Sequence, residues 1–164
     1  MLVHSNGYRL LAGRHSEPGQ IYSVTVVTHR RRPVLGEFPS GRLLVRELRR
    51  AHEEQWVCSL AWVVMPDHFH WLFTLQAPCL SQVICTVKSR SSLSINRLTN
   101  GHGRMWQKGF YDRAVRTEEV QDIARYIVAN PIRAGLVRKA GDYPLWDATW
   151  IGGAIKPGTK SPGH

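Results

Sequence analysis

The sequence predicts an α+β domain, an antiparallel sheet with helices packed on it, of the ferredoxin-like or RNA-recognition-like type. Three observations predict it. Strand-like and helix-like patterns follow one another in the order strand, helix, strand, strand, helix, short strand, helix. The second and third strands are separated only by Pro66-Asp67, and so tight a turn forces them antiparallel. The length of 164 residues is one domain's worth at roughly ~150 residues per unit, enough to bury ~70% of the unfolded surface without a metal or disulfide.

The elements follow in order. Residues 1–18 are polar and broken by Gly and Pro, and read as an N-terminal arm; their one apolar patch, Leu10-Leu11-Ala12, is too short for a signal-peptide core. Residues 20–28 (QIYSVTVVT) are rich in β-branched side chains and predict a strand, closed by the basic loop Arg30-Arg31-Arg32-Pro33. From 40 to 52, Leu44, Leu48 and Ala51 recur at helical spacing, with Arg42, Arg46, Arg49 and Arg50 on other faces. The run WVCSLAWVVM at 56–65 is almost continuously apolar, as in a central strand, and HFHWLFTL at 68–75 returns beside it. Leu80, Ile84, Val87, Ile95 and Leu98 mark a long helix ended by Asn100-Gly101.

A loop over 101–109 leads to a short extended piece at 110–116. Thr117 is expected to cap a helix with Glu118 and Glu119 in its first turn. That helix buries Val120, Ile123, Ala124 and Ile127, and stops near Asn130 because Pro131 disfavours helix in the residue before it. Tyr143, Trp146 and Trp150 mark a tail, and the Gly-, Pro- and Lys-rich residues 151–164 are expected to be disordered. The expected organisation is therefore an arm (1–18), one domain (19–150) and a tail (151–164), with helices on one sheet face and the other face left for a ligand.

Charge narrows the partners. Against 12 Asp and Glu stand 22 Lys and Arg, a net charge of +10, which makes a polyanion the expected partner: nucleic acid first, an anionic membrane surface second. At 43% hydrophobic and 21% charged residues the chain is not of disordered composition, and no apolar run approaches the ~20 residues of a membrane span. Cys58, Cys79 and Cys85 are odd in number and lack CxxC spacing, which argues against a disulfide scaffold or zinc ribbon and for reduced thiols in a cytosolic domain.

Three constellations carry chemistry. His68 and His70, two apart in a strand, project from one face while Phe69, Trp71, Phe73 and Leu75 take the other. Two imidazoles side by side make half a metal site, but the pair alone fits packing or surface histidines equally well. Asp122, Tyr126 and Asn130 are spaced four apart, a polar stripe beside Val120, Ile123 and Ile127, and in isolation read as a core-edge tyrosine and a helix terminator. The stretch 104–113 mixes Arg104, Lys108 and Arg113 with Trp106, Phe110 and Tyr111; cations can pair with phosphates and rings stack bases, or the rings can anchor the loop and leave the charges to solvent.

Together these pieces resemble a known family. The string VMPDHFHWL (64–72) looks like the His-hydrophobic-His motif of HUH single-tyrosine transposases. WQKGFYD (106–112) and YIVANPIRAGLV (126–137) resemble the REP-associated branch of that family, with the three motifs in order over about residues 20–150. The resemblance implies an HUH-type fold and a single-stranded DNA endonuclease and strand transferase. It implies His68 and His70 as the metal-binding pair, Tyr126 as nucleophile and Asn130 as a third ligand, although relatives differ in what fills that last position.

The chemistry of these side chains suits those roles. Two imidazoles and an amide oxygen leave open positions for phosphate and suit Mg²⁺ or Mn²⁺. A phenol, which ionises near pH ~10 in model peptides, must be oriented and helped to lose its proton before it attacks phosphorus. No residue identifies itself as the general base; Asp122 is a candidate, or a solvated helix residue. The resemblance implies hairpin-forming single-stranded DNA as substrate, with Arg30, Arg31, Arg104, Trp106, Lys108, Arg113, Arg116 and Arg133 as candidate contacts. It favours a monomer over a homodimer, and a cytoplasmic, nucleoid-associated site of action. The rival reading is a non-catalytic hairpin DNA or RNA binding module on the same fold, disfavoured because such sheets present aromatics where this one presents His68 and His70. A zinc hydrolase is further off, since HExxH is absent and no cysteine joins the pair.

Overall fold

The computed structural model describes residues 16–149; most of the predicted arm and all of the predicted tail lie outside the described residues. The domain is built from β1 (Ile21–Val27), α1 (Phe38–Glu53), β2 (Val57–Met65), β3 (His68–Leu75), α2 (Leu80–Thr99), β4 (Tyr111–Val115), α3 (Val120–Val128), a short helical segment α4 (Asn130–Arg133) and β5 (Trp146–Ala148). The sheet order is β4-β1-β3-β2-β5, antiparallel at every pair. This is the expected α+β architecture. Each of β1 to β4 and α1 to α3 falls where hydrophobic periodicity predicts it.

Strand alternation sorts the core into two layers. Tyr22, Val24 and Val26 of β1 and Phe69, Trp71, Phe73 and Leu75 of β3 face α1 and α2, meeting Leu44, Leu48, Ala51, Ile84 and Val87. Phe69, Trp71 and Phe73 are fully buried, and each such side chain contributes about 1.5–3 kcal/mol of transfer free energy. The opposite face is where the structure departs from expectation. Helix α3 docks there, setting Val120, Ala124 and Ile127 against Leu60, Ala61, Val63, Met65 and Leu72. Helices therefore cover one face and part of the other. The reason is the strong apolar stripe of α3 beside a β2 that is apolar on both sides, so neither surface could stay in water.

Several boundaries differ from expectation. Thr117 begins a 3₁₀ turn (Thr117–Glu119) instead of capping the helix, because the Glu119 side chain reaches back to accept from Arg116 N–H at 3.0 Å and does the capping work. Helix α3 ends at Val128, and the chain restarts as α4 with Pro131 in its first turn, where a missing N–H costs nothing. Leu98 is exposed together with Arg97 and Thr99 beside it, and Asn100 ends that helix in the left-handed region at φ 54°. Strand β5 has no forerunner in the pattern: three residues, WDA, pair with β2. Its approach is fixed by Tyr143, whose hydroxyl donates to Val64 O at 2.6 Å, and by Val64 N–H donating to Leu145 O at 2.9 Å. The three cysteines are free thiols, and no helix among the described residues is long and apolar enough to cross a membrane.

Candidate active site

Register decides what shares the α3 face. Thr25 lies opposite His70 and Val27 opposite His68, while Thr25 also pairs with Tyr111 of β4 and Val63 of β2 pairs with His70. One row across the sheet thus reads Tyr111, Thr25, His70, Val63. The two imidazoles stand with ring centroids 4.8 Å apart in a T-shaped arrangement, on the face that α3 partly covers.

Each ring is oriented through Nδ1. His68 Nδ1 lies 2.7 Å from Asp67 Oδ1, and Asp67 Oδ2 is held in turn by Arg31 Nη1 at 3.1 Å. Partial burial works against the Asp67 charge, but the hydrogen bonds to His68 and Arg31 outweigh it and hold the carboxyl below the usual range. An ionised carboxylate can only accept, so His68 Nδ1 carries a proton, and in the neutral ring the lone pair is on Nε2. His70 Nδ1 lies 2.8 Å from Thr25 Oγ1. Burial, reinforced by the positive charges of His68 and Arg133, pushes the His70 imidazole down to about 4, so it is neutral at physiological pH. Oriented imidazoles that can turn an unprotonated nitrogen outward are what a divalent cation needs.

Helix α3 supplies the tyrosine. Its apolar stripe fixes the rotation, which leaves Tyr126 61% exposed on the flank of the helix that lies on the histidine face. The other tyrosines are differently employed: Tyr22 is buried and accepts from Glu17 N–H at 3.1 Å, Tyr143 bonds Val64, and Tyr111 sits at the β4 edge of the His70 row, 37% exposed. Tyr8 lies outside the described residues.

Asn130 opens α4, which packs on β2. The expected single rigid helix carrying both Tyr126 and Asn130 is instead broken at Ala129. Asn130 Nδ2 is buried with no hydrogen-bond partner. Oxygen and nitrogen of an amide are interchangeable by rotation, so a buried amide end without a partner is a place for a ligand oxygen. Among the described residues no cluster of three or more His, Cys, Asp or Glu forms a ready metal site.

The candidate DNA contacts divide. Arg30, Arg104, Lys108, Arg113, Arg116 and Arg133 are exposed. Arg31 is exposed but paired with Asp67; Arg113 pairs with Glu119 at 3.4 Å and Arg116 with Glu118 and Glu119 at 3.7 Å. Arg30 and Arg31 both adopt left-handed backbone angles (φ 55° and 52°), a turn pinned by Thr28 Oγ1 donating to Arg32 O and Asp67 O. Trp106 corrects the expectation of a base-stacking ring. It is 5% exposed, its edge meets Phe69 at a centroid distance of 5.5 Å, and its Nε1–H donates to Ser91 Oγ at 3.2 Å. The loop is further tied down by Lys88, whose ammonium donates to Gln107 O and Gly109 O at 2.8 and 2.9 Å. The rings anchor and the cations remain outside.

Sequence reasoning assigned no positioning role to Thr25, Asp67 or Lys88. Asp67 stood beside the motif and its adjacency to His68 was a usable signal; Thr25 and Lys88 are 45 and about 20 residues from their partners, and only register and packing join them.

Known proteins resemble this chain. The chain is 31% identical over 88 residues to the REP-associated tyrosine transposase of Escherichia coli (strain K12), a match covering 52% of this chain and 50% of that one, so it spans about half the length of the curated relative. Among solved structures it is similar to a REP-associated tyrosine transposase bound to a REP hairpin, with TM-score 0.67, 24% identity, and 81% and 79% of the two chains covered. It also shares its fold, at TM-score 0.51 and 10% identity over 86% of this chain and 79% of the other, with a bacterial tRNA(His) guanylyltransferase-like protein in complex with GTP. The last likeness shows how little the sheet alone says about chemistry. The family model is decisive, because it runs through residues 18–130 and takes in the histidine strand, the tyrosine helix and Asn130: the chain belongs to the IS200-like transposase family.

Proposed function

We propose that the protein is a metal-dependent single-stranded DNA endonuclease and strand transferase that acts on hairpin-forming repeats through a covalent 5′-phosphotyrosine at Tyr126. The observation that carries this reading is an exposed tyrosine on the helix docked over the sheet face that holds two oriented imidazoles. Mg²⁺ or Mn²⁺ held by His68, His70 and Asn130 would supply Lewis-acid polarisation of the scissile phosphate.

The chain's own residues do the rest. Asp67 and Thr25 keep the imidazoles oriented. Tyr126 Oη forms a bond to phosphorus as the P–O3′ bond breaks. The electron pair goes to O3′, which takes up a proton, and the phenolic proton passes to solvent. The phosphotyrosine keeps the energy of the broken phosphodiester, so a 3′-OH can reverse the step and join strands without ATP. Arg30, Arg104, Lys108, Arg113 and Arg116 provide exposed positive charge for the phosphate backbone. Similarity to a relative solved with a REP hairpin supports a hairpin as the structured part of the substrate.

The test is incubation with single-stranded hairpin DNA and Mn²⁺, followed by a denaturing gel. Wild type is expected to form a covalent protein–DNA band, and Tyr126→Phe to lose it while still binding DNA. Tyr111→Phe, on the same sheet face, should retain the band. An adduct that survives Tyr126→Phe and disappears in Tyr111→Phe would transfer the nucleophile to β4. Hairpin binding with no adduct from wild type would leave a binding module.

A further inference from the structure

Arg133 lies seven residues after Tyr126, two helical turns, which returns it to the same side of a helix. Side chains on helices lean toward the N-terminus, and Arg133 leans back over the break at Ala129. Its guanidinium carbon stands 3.6 Å from the centre of the Tyr126 ring, a stacking distance. Both side chains are exposed, so burial does not push them together. No carboxylate among the described residues pairs with Arg133.

The backbone under Arg133 is held firmly. Its N–H donates to Ala129 O at 3.0 Å, Ala134 N–H to Asn130 O at 2.9 Å, and Leu136 N–H to Pro131 O at 2.9 Å. Gly135 closes this turn at φ 76°, a region that side-chain-bearing residues rarely adopt. One cation therefore lies against the tyrosine ring, on a backbone that cannot easily move away from it.

We infer that Arg133 is a positioning residue for Tyr126, holding the phenol ring beside the histidine face by stacking its guanidinium on it. This rests on the reading of Tyr126 as nucleophile. An otherwise exposed tyrosine on a helix flank samples several rotamers, and fixing one removes that freedom before the reaction. A cation is drawn to the electron density of a ring face, which grows as the phenolic oxygen gives up its proton on the way to attack. The contact is thus stronger in the attacking form than in the resting one, and belongs to the rate more than to DNA affinity.

Single-turnover adduct formation on a hairpin-bearing single strand with Mn²⁺, together with DNA affinity by anisotropy, tests the assignment. Arg133→Gln is expected to lower the rate at saturating DNA by about 10- to 100-fold, the scale of a lost orientation. Its Kd should stay within about 3-fold, less than a lost phosphate contact gives at moderate salt. Arg133→Lys should recover part of the rate, because an ammonium is still attracted to the ring but lacks the flat stack. A saturating rate unchanged in Arg133→Gln, or a loss found entirely in Kd, would overturn the inference. Tyr126→Phe separates the two failures. If it is inert while Arg133→Gln is unaffected, only the role of Arg133 falls; if it still forms adduct, both fall.

Discussion

His68 rests on a carboxylate that Arg31 holds from the other side, a chain of contacts at 2.7 and 3.1 Å. At the scale of single residues this relay is the clearest case of a side chain acting through another. Asp67 fixes the ring of His68 and leaves its lone pair on Nε2. Replacing it with Ala is expected to weaken Mn²⁺ binding by about 10- to 100-fold, the usual loss when an orienting partner of a ligand is removed. Titration calorimetry on the DNA-free protein checks this, and an unchanged affinity would refute the orienting role. The backbone oxygen of Asp67, which accepts from Thr28, is untouched by the substitution. Tyr126 and Arg133 belong to the same scale: neither is buried, so the arrangement of each depends on the contact with the other.

At the scale of elements, the 101–109 loop shows why composition alone misleads. Its mixture of rings and cations suits a nucleic-acid surface, yet Met105 and Trp106, with Phe110 just beyond, are buried, and Lys88 clamps the main chain from α2. Trp106→Ala should therefore cost stability, about 3–5 kcal/mol as for other large buried aromatics. Chemical denaturation would show it as a lower midpoint at constant slope; wild-type stability would return Trp106 to the list of DNA contacts. Arg104→Ala and Lys108→Ala, at exposed positions of the same loop, should leave that midpoint in place. The α3–α4 break is the other lesson at this scale. Pro131 does end α3, as its chemistry requires, but it also starts a second turn that carries Asn130 and Arg133. Proline forbids continuation and permits initiation, and periodicity reports only the first effect.

The whole molecule carries a net charge of +10, and charge acts at that scale through salt. Each phosphate contact released should flatten the slope of log K against log salt by roughly 0.7 to 0.9. The Arg104→Ala/Lys108→Ala double variant is expected to lose up to two such steps without changing the identity of the hairpin bound. Anisotropy titrations over a range of salt concentrations measure this, and an unaltered slope would remove the loop from the interface. Cations already paired within the protein, such as Arg31 with Asp67, should contribute less than a full step.

The fold was legible in the sequence because two periods, alternation in the strands and helical spacing in α1 to α3, are local consequences of one side being buried. His68 and His70 on a common face followed from the same alternation, and Phe69, Trp71 and Phe73 on the other. Strand β5 was not legible: three residues have no period, and the pairing depends on Tyr143 reaching Val64. By itself the sequence determined the elements from β1 to α3, their family and the residue types of the site. Only the tertiary structure decided that α3 covers part of the histidine face, that Thr25 orients His70 and that Trp106 is core. These depend on register and docking between segments far apart in the chain, which no local pattern encodes.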